Sequence, residues 1–267
     1  MTRSSPGPAE GEPATTPEGA IRVEFLGHAT VLLELAGVRV LTDPFLGSRI
    51  GPIQRHGPLP YPGGVEADVV IISHGHRDHF DRTSIEGLPG RPAVVVPRGL
   101  AASLRGRVPG PVVELEAGGS VSIGRLKIEA VRARHWISPG APRAQPIGYV
   151  LDGGARVYFA GDTGKYAGLA TAVGRVDLAL LPVWTWGPHL GPGHLGPRSA
   201  AEVTREIAPG AAVPIHWGTL YPRHLHRVWR RPLREPGDRF AAYAKELAPS
   251  VEVRVLRPGE TTTFERA

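Results

Sequence analysis

The run Val69-Val70-Ile71-Ile72-Ser73 passes without a break into His74-Gly75-His76-Arg77-Asp78-His79. A strand this apolar must lie inside a sheet, and a tight loop at its end can turn three imidazoles and one carboxylate inward together. Neutral imidazole nitrogen suits zinc, copper, iron or nickel, and an added carboxylate oxygen belongs with an open hydrolytic site rather than a closed structural one. The bland alternative is a solvated histidine-rich loop. An aspartate at the fifth position and a clean stop at the sixth count against it.

The 267 residues suffice for one sizeable domain, and no interior segment has the composition of a linker. Residues 1–20 are mostly Pro, Gly, Ser, Thr and Glu, which bury too little apolar surface to order themselves, so we expect a disordered tail before a single domain over 21–267. The tail offers no apolar core for a secretory signal, and nowhere do eighteen apolar residues run without a charge. The expectation is a cytoplasmic protein with no transmembrane segment. Cysteine is absent, which excludes disulfides, thiolate ligands and a thiol nucleophile, so any metal must be held by nitrogen and oxygen.

The formal charge is +6, and lysine occurs only at Lys127, Lys165 and Lys245. Basic charge alone carries no information on fold or specificity, and nucleic acid is not the expected partner. One local concentration stands out: Arg223, His224, His226, Arg227, Arg230, Arg231 and Arg234, interleaved with Tyr221 and Trp229. It reads either as a solvated loop or as a rim that attracts an anionic substrate.

Period-two patterning predicts strands at 21–26, 31–35 and 38–41, forming a hairpin layer. Beyond the histidine loop we expect a helix at 81–88, a strand at 93–96, a helix at 99–104, and strands at 112–115, 120–123 and 125–133. Strands at 147–151 and 155–160 flank Asp152-Gly153-Gly154, a strong hairpin turn. A buried strand at 176–183, a helix at 198–207, a strand at 211–215, a helix at 238–247 and a strand at 251–256 complete the order. Two runs of strands, each followed by helices, argue for a mixed α/β (α+β) chain in which two sheets pack face to face with helices outside, a four-layer αββα sandwich.

Three later segments share one grammar, a strand ending in a ligand-type residue followed by Gly or an aromatic side chain: Arg134-His135-Trp136, Gly161-Asp162-Thr163-Gly164 and Ile215-His216-Trp217-Gly218-Thr219. Alone, each reads as a satisfied histidine or an ordinary turn. Together with the first cluster they could complete a metal centre.

The motif H-x-H-x-D-H at 74–79, then His135, Asp162 and His216, resembles in order and approximate spacing the metallo-β-lactamase-fold hydrolases, over about residues 21–264. Leu26-Gly27-His28-Ala29-Thr30, Leu41-Thr42-Asp43-Pro44 and Ile215 to Thr219 look like the branch containing N-acyl-phosphatidylethanolamine-hydrolysing phospholipase D and, more distantly, the ascorbate-6-phosphate lactonases. The resemblance implies two divalent metal ions, zinc being the expected pair with manganese or iron as substitutes. His74, His76 and His135 would hold one, and Asp78, His79 and His216 the other, with Asp162 bridging. It further implies a hydroxide shared between the ions as nucleophile, Asp78 orienting it. His194, in Gly193-His194-Leu195-Gly196-Pro197, matches a histidine beside the metal pair and is expected to contact the substrate's leaving group or phosphoryl oxygen, unless it merely caps the following helix. His28 and Asp43 are expected to hydrogen-bond the ligands rather than bind metal. His56, His189, His224 and His226 have no match and are expected at the rim or surface.

The membrane-acting phospholipase D carries an added N-terminal region that helps it meet a bilayer, whereas the tail here is short, acidic and poor in apolar residues. Residues 181–195, with Trp184 and Trp186 among Pro and Gly, could form an apolar wall or lid. The expected activity is that of a dinuclear metal-dependent hydrolase, a phospholipase D-like phosphodiesterase acting on a small-molecule or lipid-like ester. The alternatives are a lactonase or carboxylic-ester hydrolase, a nuclease, and a non-catalytic metal-binding module.

Overall fold

The structure, a computed structural model, describes residues 19–59, 61, 64–138, 140–142 and 144–266. The tail expected over 1–20 lies outside these apart from Gly19 and Ala20, and Ala20 is buried where the first strand begins.

The chain opens with an antiparallel meander of β1 (Ile21–Gly27), β2 (Thr30–Leu35) and β3 (Val38–Thr42). A short hairpin follows, β4 (Arg49–Ile50) and β5 (Ile53–Arg55). Next, β6 (Val69–Ile71) pairs parallel with β3, and α1 (Arg82–Glu86), β7 (Ala93–Pro97) and β8 (Val112–Leu115) extend that parallel half. The second sheet starts from an antiparallel run, β9 (Ser120–Ile123), β10 (Leu126–Arg132), β11 (Ile147–Asp152) and β12 (Arg156–Phe159). After α2 (Leu169–Val173) it turns parallel with β13 (Leu178–Pro182), and after α3 (Pro197–Ile207) with β14 (Ala211–Ile215). Strand β15 (Leu220–Pro222) then joins β5 and β4 in a small separate sheet. Helices α4 (Arg231–Arg234) and α5 (Pro236–Leu247) lead to β16 (Glu252–Val253) on the edge of the second sheet and β17 (Thr261–Phe264) on the edge of the first.

Two seven-stranded sheets therefore face each other, in the orders β17-β1-β2-β3-β6-β7-β8 and β16-β14-β13-β12-β11-β10-β9. Each is half antiparallel and half parallel. The layering follows from apolar runs buried on both faces. In β6, Val69 and Ile71 face the other sheet while Val70 packs outward with Ile85 and Leu88 around α1. In β13, Leu178 and Leu180 join the same inter-sheet core, and Ala179 and Leu181 meet α3 and α5 through Val203, Ile207 and Phe240. The αββα sandwich expected from the sequence is the fold observed.

Several local details differ. The helix expected at 99–104 is one 3₁₀ turn, Ala101–Ser103, because Glu114 Oε1 accepts the Gly99 and Ala101 N–H groups at 2.8 and 3.0 Å and ties the segment to β8. Of the strand expected at 251–256 only Glu252–Val253 pairs. Strands β4, β5, β15 and β17 and helices α2 and α4 lie where no element was expected. No helix among the described residues is long and apolar enough to cross a membrane.

Candidate metal centre

Every candidate ligand follows a strand. His74 to His79 lie beyond β6, His135 beyond β10, Asp162 beyond β12 and His216 directly after β14. The first loop is tight because the His79 and Phe80 N–H groups both donate to His76 O, at 3.0 and 2.7 Å. That turn sends His74, His76, Asp78 and His79 to one side. Gly161 lets Asp162 approach this loop: its φ is +58°, and a Cβ there would stand 2.4 Å from Ser73 Cβ.

The structure brings all seven expected ligands together. His74 Nε2 lies 2.9 Å from His76 Nδ1, which lies 3.1 Å from His135 Nε2. Beside this trio, His79 Nε2 and His216 Nε2 are 3.0 Å apart, and Asp78 Oδ2 is 3.5 and 3.7 Å from them. Asp162 stands between the groups, its Oδ2 3.3 Å from His79 Nε2, 3.8 Å from His135 Nε2 and 4.0 Å from His74 Nε2, its Oδ1 3.2 Å from His216 Nε2. Oδ1 is buried without a hydrogen-bond partner.

The outer nitrogens decide what the inner ones can do. In the tautomers that let Nδ1 donate, His79 donates to Asp43 Oδ2 (2.6 Å), His216 to Trp184 O (2.9 Å), His135 to Gly193 O (3.1 Å) and His74 to Ser73 Oγ (2.9 Å). Each then turns its Nε2 lone pair toward the centre, with His76 Nδ1 in hydrogen-bond reach of two of them, at His74 and His135. Four converging imidazole lone pairs and an unpartnered carboxylate oxygen fit divalent cations well. His76 differs, since it presents Nδ1 and Ser138 N–H donates to its Nε2 at 3.1 Å. A cation at Nδ1 requires the proton on Nε2, so that contact would have to give way.

Asp43 and His28 hydrogen-bond to candidate ligands, and each also lies in a group whose atoms could hold an ion, Asp43 with His74 and His79 and His28 with Asp78, His79 and His216. Asp43 Oδ2 accepts the His79 Nδ1–H (2.6 Å) and the Ser73 hydroxyl (2.5 Å), and its Oδ1 accepts the Ser73 N–H (2.6 Å). His28 Nε2–H donates to Asp78 Oδ2 at 2.8 Å. Both, with His216, adopt positive φ: 58° at His28, 35° at Asp43 and 63° at His216. Backbone of this kind is uncommon for residues other than glycine and persists only where surrounding contacts enforce it. Here Thr219 Oγ1 accepts the His28 N–H at 2.9 Å, and His28 O accepts the His216 N–H at 2.6 Å.

Burial disfavours charged imidazole, pushing His28 down to about 3, with neighbouring His216 adding to the effect, and His135 down to about 4. His79 goes the other way: Asp162, Asp78 and Asp43 outweigh its burial and raise it well above the usual range. Burial alone would raise Asp162 too, but His216 and His79 hold it well below the usual carboxylate value.

His194 completes the constellation, its Nε2 3.2 Å from Asp162 Oδ2 and its Nδ1 donating to Gly191 O at 3.2 Å. It does not cap α3, whose first turn is closed by Ser199 Oγ accepting the Gly196 N–H. A cavity of about 670 Å³ opens over the centre, bordered by His76, Asp78, His135, Asp162 and His194 and walled by Ile50, Ile53, Trp136 and Trp186. Segment 181–195 supplies one wall through Thr185 to His194. Trp184, however, turns away, its Nε1 donating to Gly187 O and its ring packing with the α3 and α5 core. Of the unmatched histidines, His189 borders the cavity, His224 is exposed, and His56 and His226 are half-buried and stacked 4.7 Å apart.

Sequence reasoning missed Arg55. It is buried, and its guanidinium donates to Gly47 O (3.0 Å), Leu26 O (3.2 Å) and Phe45 O, tying together the segments that carry His28 and Asp43. Burial lowers its pKa to about 10. No local pattern marks such a residue, since its partners are backbone carbonyls from elsewhere in the chain.

A family model described as a beta-lactamase superfamily domain matches residues 38–217. An uncharacterized protein of Mycobacterium tuberculosis is 33% identical over 260 residues, covering 90% of this chain and 68% of its own. A protein of Methanopyrus kandleri described as a metal-dependent hydrolase is 32% identical over 256 residues, covering 92% of this chain and all of its own. Among solved structures, a metallo hydrolase from the archaeon Ignicoccus hospitalis superposes with a TM-score of 0.73 at 24% identity, covering 93% of this chain and 100% of its own.

Proposed function

Because the chain belongs to the β-lactamase superfamily, we propose that it is a metal-dependent hydrolase that works with two divalent cations on a phosphodiester, small or lipid-like. The observation that carries this reading is Asp162, one buried carboxylate whose Oδ2 lies within 4.0 Å of imidazoles from both groups, His74 and His135 on one side and His79 on the other, and whose Oδ1 lacks any hydrogen-bond partner. His74, His76 and His135 would hold one cation and Asp78, His79 and His216 the other, with Asp162 shared between them. Bound there, zinc, or manganese or iron in its place, supplies Lewis acidity and lowers the pKa of water enough for attack at neutral pH.

The protein's own groups do the rest. His28 and Asp43 fix the orientation of Asp78 and His79, so the ligand atoms need not reorganise during the reaction. The cavity walls at Ile50, Ile53, Trp136 and Trp186 exclude water around an apolar arm of the substrate. His194, on the cavity border and 16% exposed, is placed to donate a proton or hydrogen bond to the departing oxygen.

The test uses two phosphodiesters that differ only in leaving group, p-nitrophenol and a simple alkanol, with zinc- or manganese-loaded protein. Asp162→Ala should abolish turnover of both. His194→Gln should slow the alkyl ester at least tenfold more than the p-nitrophenyl ester, because only the poor leaving group needs the proton. Full activity and full metal content in Asp162→Ala would overturn the assignment of the centre. Metal-loaded wild-type protein that cleaves lactones or carboxylic esters but neither phosphodiester would overturn the phosphorus substrate while keeping the hydrolase.

A further inference from the structure

The β4–β5 hairpin is a partition. Adjacent cross-strand pairs of an antiparallel hairpin point to opposite faces. Its inner pair, Ile50 and Ile53, borders the metal cavity, and the next pair, Arg49 and Gln54, borders a second groove on the other side. Pro52, in the exposed turn Gly51-Pro52, borders both. A molecule lying across this turn therefore reaches both spaces.

The second groove, of about 940 Å³, has a different chemistry. Arg49, Arg223 and Arg227 line it together with His224, His226 and Gln54, and no carboxylate does. None of the ion pairs among the described residues engages these three arginines, although the neighbouring Arg231 pairs with Glu235 at 3.4 Å. The groove is also held in shape. Gln54 pairs with Tyr221 of β15, the Arg223 N–H donates to Pro52 O at 3.3 Å, and His226 stacks on His56. Three uncompensated guanidinium groups on a fixed frame, beside two imidazoles, form a receptor for an anion.

We propose that this groove is a subsite for an anionic group, a phosphate, sulfate, sulfonate or carboxylate, on the same molecule whose ester bond lies at the metal centre. Its role in specificity rests on the hydrolase reading above; its affinity for anions does not. The substrate is thus an anionic amphiphile, with an ester at the cations, an apolar portion against Ile50, Ile53 and Trp186, and a charged end beyond Pro52.

The test has a kinetic and a binding arm. Metal-loaded protein is given two chromogenic esters with alcohol arms of equal length, one ending in a sulfonate and the other in a neutral sulfonamide. KM should be about tenfold lower for the sulfonate, the preference should shrink between 20 and 200 mM NaCl, and Arg49→Gln/Arg223→Gln/Arg227→Gln should erase it while leaving kcat on the sulfonamide unchanged. The binding arm titrates wild-type and triple-variant protein with 2-naphthalenesulfonate and 2-naphthalenesulfonamide by calorimetry, which needs no turnover. A sulfonate preference that disappears in the variant supports the subsite even if neither ester is cleaved, and that pattern would count against these esters as substrates while leaving the anion site in place. Equal binding of the two probes by wild-type protein, or a preference that survives the triple substitution, overturns the subsite. So does sedimentation with phosphatidylglycerol vesicles that is lost in the variant while the soluble probes bind alike, which would reassign the arginines to a lipid surface.

Discussion

Asp43 shows how much of the centre depends on a residue that need not touch metal. Its carboxylate collects the His79 Nδ1–H, the Ser73 N–H and the Ser73 hydroxyl, and through Ser73 it also orients His74. Asparagine has nearly the same shape but only one acceptor oxygen and no charge, so at least one of these donors loses its partner. Outer partners of metal-ligating histidines typically contribute 10- to 100-fold in affinity. Asp43→Asn is expected to fold, to weaken metal binding by about that factor in competition with a chromogenic chelator, and to retain a measurable fraction of activity. Wild-type affinity in this variant would show that Asp43 does not tune the ligands. Asp43 and His28 were legible in the sequence through motifs, as was every candidate ligand, because each closes a strand with a side chain that has few structural uses. Arg55 and the hydroxyl of Thr219 were not, since they act on backbone atoms brought near only by folding.

Among the elements, α5 is the one whose sequence most directly records its neighbour. Gly237 occupies its first turn, and a Cβ there would meet Trp217 Cζ2 at 2.2 Å. Trp217 cannot retreat easily. It is 2% exposed, its Nε1 donates to Pro214 O at 3.0 Å, and Arg257 covers its ring at 4.8 Å from the centroid. It also directly follows His216. Ordinary helix propensity favours alanine over glycine, but here overpacking opposes it, at a typical cost of about 1–3 kcal/mol. Gly237→Ala should lower the midpoint of urea unfolding, with a smaller loss of metal affinity as His216 shifts. An unchanged or raised midpoint would mean that helix and indole separate freely. The long strands and α3 were readable from periodicity. Strands β17 and β15 were not, because a short edge strand is defined by its distant partner, β1 or β5, rather than by its own alternation. The helix expected at 99–104 failed for a related reason: its first N–H groups found Glu114 before a helix could use them.

At the scale of the molecule, so many buried histidines make folding itself a proton-linked reaction. His28 and His135 titrate near 3 and 4 in the folded protein, and burial lowers His74 and His76 as well. In the unfolded chain they titrate near 6.5. Between pH 6.5 and about 4 the unfolded chain therefore binds protons that the folded one refuses, and stability falls as pH falls. His79 and His194 are raised, so their contribution is complete below 6.5 and is lost only as pH rises through their folded values. Asp78 and Asp162 are depressed, so theirs is lost only below about 4. Asp43 opposes the trend, since burial raises it and acid relieves that strain. With His56, also lowered by burial, five histidines outweigh one carboxylate. The melting temperature of chelator-treated protein is thus expected to drop steadily from pH 6.5 to 4.5, and a flat or rising profile would contradict the buried neutral imidazoles. Metal should widen the effect. Cations bind the deprotonated ligands, so the added stability of loaded protein over chelator-treated protein should be greatest near neutrality and shrink across the same interval.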